Sequence, residues 1–213
     1  MEKRAEPAAI LHNIKYGSAE WRTHFIYSLE NQPVGTIIPV TQQIAGEGNT
    51  AEMLCRWREK YMNFFLTVFK ATTESTRSYL NNLYLPDDMR IMFLLKEGDR
   101  FVGNFGLANV EGQSAELDNM IRGEEVTTRG FMHQAQISLM NWASSSLGTK
   151  YFYLHVLSNN HRTIMHHERI GFKIKSDTPL KKEIVDGGYK LVTGRGFDDQ
   201  HLSLVRMEMM YEA

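Results

Sequence analysis

The chain has 213 residues, 42% hydrophobic and 23% charged, with 24 basic against 25 acidic side chains and a net charge of −1. That balance excludes a disordered, fibrous or disulfide-built chain and offers no basic stripe to a nucleic acid. Cys55 is the single cysteine, which rules out an internal disulfide and fits a reducing, cytoplasmic setting.

Residues 1–35 read as an accessory helical arm. Ser18 caps a short helix whose Trp21, Phe25 and Leu29 recur at i, i+4 and i+8. Such a stripe packs onto the main domain or onto a partner subunit, which leaves a homodimer open. The charged start, Met1 to Pro7, leads into no long apolar run, so no secretory signal is expected. Residues 36–213 read as one domain. Thr36 to Thr41 is a strand, followed by a turn at Gly46 to Asn49 and a helix from Thr50 to Tyr61, in which Cys55 is a half-buried helix residue rather than a nucleophile. A second helix starts at a Thr72-Thr73 cap, carries Tyr79, Leu80 and Leu83, and ends at Pro86.

Three strands follow. Ile91 to Leu95 is apolar throughout but far too short to span a bilayer; Gly98-Asp99 and Glu111-Gly112 turn the chain into Arg100–Ala108 and Ser114–Ile121. The longest helix runs from Gly130 to Leu147, with Phe131, Ala135, Leu139, Trp142 and Ala143 on one face and Gly148 as its stop. Tyr151 to Leu157 is apolar on both faces, as a covered central strand should be. A short helix from Asn160 to Arg169 ends at Gly171. Phe172–Lys175, Lys190–Thr193 and Leu204–Tyr211 complete the sheet, the last two joined by the loop Gly194-Arg195-Gly196. Antiparallel hairpins followed by a βαβ unit define an α/β class: a mixed, mostly antiparallel central sheet with helices on both faces.

Within that pattern, three segments resemble the GNAT acetyltransferase fold. Ala115 to Gly123, then Thr128-Arg129-Gly130 and the long helix, look like the family's fourth strand and pyrophosphate loop. Tyr151 to Leu157 looks like its fifth strand. Asn160-x-x-Thr163-x-x-x-His167 with Gly171-Phe172 is similar to its Asn-x-x-Ala-x-x-x-Tyr-x-x-x-Gly-Phe helix. Two positions depart from the family pattern: Thr127 and Met132 flank Gly130 where the loop reads Gln/Arg-x-x-Gly-x-Gly/Ala, and His167 stands where the Tyr is usual.

The resemblance implies acetyl-CoA as acyl donor and a small-molecule primary amine as acceptor, with no nucleic acid and no membrane. Glu-Leu-Asp-Asn followed by Ile-Arg-Gly, and Leu-Met-Asn-Trp-Ala in the helix, are most similar to enzymes that acetylate amino sugars for bacterial surface polysaccharides. A nucleotide-linked amino sugar is therefore the favoured acceptor, with the N-terminal arm and the loop from Ser176 to Gly196 shaping its pocket. A protein N-terminus or a polyamine is the alternative, and an acyl-CoA-binding protein without catalysis is a third. The donor is expected against Asn119, Met120, Ile121 and Arg122 on the strand, against Thr128, Arg129, Gly130, Phe131 and Met132 at the helix opening, and against Asn160, which is equally suited to a plain N-cap.

The chemistry gives these positions their sense. A helix opening offers unpaired N–H groups and the positive end of its dipole to a diphosphate. Arg122 and Arg129 add charge there. Glu116 and Asp118, two apart, share a strand face, and either is a candidate to take the ammonium proton. Backbone N–H groups near Asn119 and Met120 are candidates to hold the thioester oxygen. His167 is the candidate acid for the departing thiolate, with His166, on a different helix face, as the alternative. His161, His166 and His167 match no metal-binding spacing, so no metal is expected.

Overall fold

The computed structural model describes residues 6–17, 21–194 and 202–212. Helix α1 (Pro7–Lys15) carries proline in its first turn, where the missing N–H costs nothing. Leu11 and Ile14 enter the main core, and the buried Lys15 donates from Nζ to the carbonyls of Leu85 (3.0 Å) and Asp87 (2.6 Å). Ser18 lies outside the described residues. The expected helix over Trp21 to Leu29 is instead a strand. β1 (His24–Tyr27) pairs antiparallel with β2 (Pro33–Pro39), burying Ile26 and leaving Phe25 and Tyr27 exposed. An edge strand that is apolar on both faces reproduces the i, i+4 spacing of a helix.

Thr41 caps the short α2 (Gln42–Gly46), and α3 (Gly48–Lys60) follows directly, burying Ala51, Leu54, Cys55 and Trp57. The turn expected at residues 46–49 thus shrinks to Glu47. β3 (Thr67–Phe69) was not anticipated. α4 (Thr73–Tyr79) opens at a capping box between Thr72 and Ser75, then widens into a π turn over Leu80–Tyr84. β4 (Ile91–Glu97), β5 (Arg100–Glu111) and β6 (Ser114–Arg122) are the expected hairpin strands. α5 (Phe131–Trp142) continues as a π turn to Leu147. β7 (Tyr151–Leu157) and α6 (His161–Ile170) follow as expected.

β8 (Lys173–Val185), β9 (Gly188–Thr193) and β10 (Ser203–Met210) close the sheet. The strand expected over Phe172–Lys175 is therefore three times longer, and most of the pocket loop expected from Ser176 is a β8–β9 hairpin edged by β3. Its sequence hid it: β8 is exposed or half-buried along nearly all its length, so no apolar alternation marks the strand. Arg195 and Gly196 lie outside the described residues.

The strand order is β1-β2-β4-β5-β6-β7-β10-β8-β9-β3, with only β6–β7 parallel among these pairs. Ile91, Phe93 and Leu95 face one core with Phe131, Ala135 and Leu139 of α5; Met92 and Leu94 face a second core with Leu54 and Trp57 of α3 and Leu80. Helices cover both faces of a mixed, mostly antiparallel sheet. Each large side chain fully buried by α5 contributes roughly 1.5–3 kcal/mol, which fixes the opening of that helix.

Two irregularities position the site. Asn104 pairs with Ile121 and Gly106 with Asp118, so β6 carries one extra residue across this step, and Asn119 takes φ 52 there. This is a β-bulge, which bends the strand. β6 then pairs with β7 only over Ser114–Glu116. Beyond Glu116 no ladder joins the two strands.

Candidate active site

The loop from β6 to α5 is gripped from two sides. From α3, the Trp57 ring lies against Gly123 and its Nε1 donates to Glu124 Oε1 (2.8 Å); the Tyr61 hydroxyl donates to the Arg122 carbonyl (2.9 Å) and Lys60 Nζ to that of Gly123 (3.1 Å). From β4, the buried Glu97 carboxylate accepts the N–H of Thr128 (2.8 Å) and of Thr127 (3.0 Å). Gly35 on β2 leaves room for the Phe131 ring, which a Cβ would approach to 2.7 Å. The loop ends at Gly130, the N-cap of α5, exposed and at φ 76, a conformation that disfavours side chains with a Cβ.

Phe131 N–H returns to the Thr128 carbonyl (3.2 Å), and the first helical bond runs from Gln134 N–H to Gly130 (3.0 Å). Among the described residues no acceptor meets the amides of Arg129, Gly130, Met132 and His133. Four free N–H groups at the positive end of a helix dipole fit a diphosphate. Arg122 and Arg129 are exposed beside them in sequence, whereas the Phe131 ring is buried, so Phe131 serves the core through its side chain.

Glu116 and Asp118 lie on the β6 face turned toward α3 and α4, opposite the buried Ala115 and Leu117. Both Glu116 oxygens are engaged: Oε1 with His155 Nδ1 (2.6 Å) and Oε2 with Asn109 Nδ2 (2.7 Å). Burial raises its pKa, but these two partners and Arg206 outweigh burial and hold the carboxyl below its ordinary range. Asp118 goes the other way. Burial, with Glu116 nearby, pushes it up despite Arg90 and the hydrogen bond from Asn119 Nδ2 (2.8 Å). Around it, Arg90 Nη1 donates to the Tyr79 hydroxyl (3.3 Å). Arg58 Nε, Arg90 Nε and Asn104 Oδ1 are buried without a hydrogen-bond partner. Asn104 Nδ2 donates to the carbonyl of the bulged Asn119 (2.7 Å), which ties the bulge to β5.

His167 is placed otherwise than a proton donor requires. It is 3% exposed, its Nδ1 meets Gln136 Nε2 at 3.2 Å, and its ring packs on Phe172. Burial and the neighbouring His166 lower its pKa to about 3, so the imidazole is neutral and enclosed. His166 reaches the same amide, with Nε2 3.0 Å from Gln136 Oε1. The pair joins α6 to α5 as structure, and the acid role expected for His167 is withdrawn. Asn160 accepts Thr163 N–H through Oδ1 (3.3 Å), the N-cap alternative. Cys55 is buried and its thiol pushed up by burial, the opposite of an activated nucleophile.

Sequence reasoning missed His155, Asn109, Glu97, Arg58 and Arg90. His155 carried a readable signal: a polar residue inside an apolar strand, two positions from Tyr153 and so on the same face. Two cavities of about 390 and 470 Å³ lie at the β5–β6 turn and beside β1, lined by none of the site residues named above. Among the described residues there is no group of three or more His, Cys, Asp or Glu suited to a metal ion, and no helix long and apolar enough to cross a membrane.

A bulged strand whose pairing with its parallel neighbour ends at Glu116 is thus followed by a helix N-terminus with free amides. The family profile described as an acetyltransferase (GNAT) domain matches residues 46–173. The chain belongs to that family: it is an acetyl-CoA-dependent N-acetyltransferase. No match is found among curated proteins. Among solved structures, the chain is similar to RimL, the ribosomal L7/L12 α-N-protein acetyltransferase solved with coenzyme A: TM-score 0.64, 11% identity, 89% of this chain and 98% of that one. It is also similar to the spermidine/spermine N-acetyltransferase SpeG from Vibrio cholerae: TM-score 0.57, 15% identity, 83% and 92%. The microcin C7 self-immunity acetyltransferase MccE, solved with acetyl-CoA and AMP, gives 0.61, 13%, 84% and 94%. At these identities the likeness is one of fold.

Proposed function

We propose that the protein acetylates a primary amine on a molecule that also carries negative charge, a nucleotide-linked amino sugar, by direct transfer in a ternary complex with Asp118 as the base. The observation that carries this reading is the mixed charge of the α3–α4 face: the carboxylates of Glu116 and Asp118 beside the part-buried guanidinium groups of Arg58 and Arg90. A carboxylate suits the amine, and a guanidinium suits a phosphate. A polyamine would meet those cations as repulsion.

Acetyl-CoA supplies an activated acetyl thioester. The free amides of Arg129, Gly130, Met132 and His133 would hold its diphosphate. Asp118 would take the ammonium proton, because a carboxyl raised toward neutrality is the better base, while Glu116, lowered and fully bonded, orients the acceptor with His155. Backbone N–H groups at the bulge, near Asn119 and Met120, would face the thioester oxygen as it gains charge. A thiol has a pKa of about 8.5, so a thiolate leaves without a strong acid, and the enclosure of His167 does not block the reaction.

The test is a panel of amino-sugar nucleotides incubated with acetyl-CoA, read by mass spectrometry for the added acetyl group. Acetylation of free amines or peptides alone would overturn the acceptor assignment. The second reading, a protein N-terminus, draws on the fold likeness to RimL and predicts the same product on peptides.

A further inference from the structure

Glu97 is a buried carboxylate that the transfer reaction does not use. It is the last residue of β4 and 7% exposed. Its Oε1 lies 2.8 Å from Thr128 N and 3.2 Å from Thr127 N, its Oε2 3.0 Å from Thr127 N, and Arg100 Nη2 stands 3.6 Å from Oε2. The contact spans thirty residues of sequence and joins the outer half of the sheet to the loop that opens α5. Gly35, its cross-strand partner on β2, receives the Phe131 ring, so two adjacent strands grip both ends of the same short turn.

We infer that Glu97 is a positioning residue for acetyl-CoA: an internal anion that holds the amides of Thr127 and Thr128, and so aims the next amides of the loop, from Arg129 to His133, at the diphosphate. This rests on the reading of that loop as the donor site. A carboxylate at the edge of a diphosphate site has two opposed effects. Its charge repels the ligand; its three close contacts with backbone N–H groups fix the loop before the ligand arrives. The contact to Arg100 offsets part of the charge, and ordering a loop in advance removes an entropic cost from binding. The two effects predict opposite signs when the charge is removed, and a measurement decides between them.

The experiment is calorimetric titration of CoA into the full chain and its Glu97→Gln and Glu97→Ala variants, with melting temperatures recorded alongside. Preorganisation predicts that Glu97→Ala raises the CoA dissociation constant about tenfold, as loss of a hydrogen-bonded loop anchor should. Glu97→Gln, which keeps one acceptor oxygen, should fall between Glu97→Ala and wild type. Sodium formate, small enough to enter the vacated space, should restore most of the affinity of Glu97→Ala. Unchanged or tighter CoA binding in Glu97→Gln would overturn the inference, as would a loss in Glu97→Ala that formate does not reverse. Should Glu97→Ala not fold, Glu97→Gln decides alone. If wild type itself binds no CoA, the donor-site reading fails and the role of Glu97 fails with it; if wild type binds and the variants match it, only the latter fails.

Discussion

The two faces of the central sheet handle buried polar groups by opposite rules. Between α5 and α6, Gln136 is fully buried and gives its oxygen to His166 and its nitrogen to His167, and both rings stay neutral. Among the described polar side chains of that face, Trp21 Nε1 is the exception without a partner. On the α3–α4 face, Arg58, Arg90 and Asn104 each keep a buried atom without a hydrogen bond, Arg90 Nε having only an ion pair to Asp87 at 3.7 Å, and neighbouring carboxylates are driven apart in pKa. A network closed on itself specifies packing. Groups left unsatisfied beside an opened sheet are a cost the fold retains for chemistry.

The sharpest way to break that comparison is Asp118→Asn. If Asp118 is the base, turnover should fall about 10²–10⁴-fold, with CoA affinity unchanged by titration calorimetry. Stability should move the other way. A carboxyl whose folded pKa lies above its unfolded value binds more protons folded than unfolded, so stability declines as pH rises through that window. At neutral pH the amide removes this penalty, and the melting temperature should rise. Full activity together with an unchanged melting temperature would place Asp118 among ordinary surface groups. Gly130→Ile comes next. A β-branched residue at φ 76 is strained by about 1–2 kcal/mol, which should weaken CoA binding roughly tenfold if relieved by moving the loop. Unchanged affinity would detach the donor from this helix opening.

Much of this was legible because it is local. β4 to β6, α5, β7 and α6 announce themselves through continuous periodicity and glycine stops, and they include the bulged strand and the helix of the proposed donor site. What escaped detection is non-local. β3 is three residues long and finds its partner β9 more than a hundred residues later. Glu97 reads as the first residue of a charged hairpin turn, and nothing nearby says that it reaches the loop before α5. The histidine at 167 occupies a position whose role in the family is chemical; only its burial against Gln136 reveals a packing role here. Residues 21–29 show the converse error, a local signal with two structural solutions.

Glu116→Gln tests the comparison from the engaged side. Its folded pKa lies below the unfolded one, so it contributes stability above the unfolded carboxylate pKa and loses it as pH falls through the folded value. The amide should lower stability by about 1 kcal/mol through its weakened bonds to His155 and Asn109. Turnover should drop less than for Asp118→Asn, with the acceptor KM rising more than kcat falls. A larger loss in kcat than Asp118→Asn would exchange the two roles.

The smallest effect on catalysis is expected from His167→Phe, and it is the most discriminating. The substitution leaves Gln136 Nε2 with only its contact to Met140 Sδ (3.8 Å) inside the core, at about 1–3 kcal/mol, so the melting temperature should fall. An imidazole with a pKa of about 3 is not an imidazolium above pH 5 and keeps only a weakly acidic ring N–H, so turnover below the new melting range should stay within about threefold, since no proton-transfer contribution is lost. The basic limb of the pH profile should not shift. Were His167 the acid of the reaction, the same variant would lose turnover and the basic limb together while keeping CoA affinity. The closed face of the sheet would then belong to the chemistry, and the distinction between its two sides would collapse.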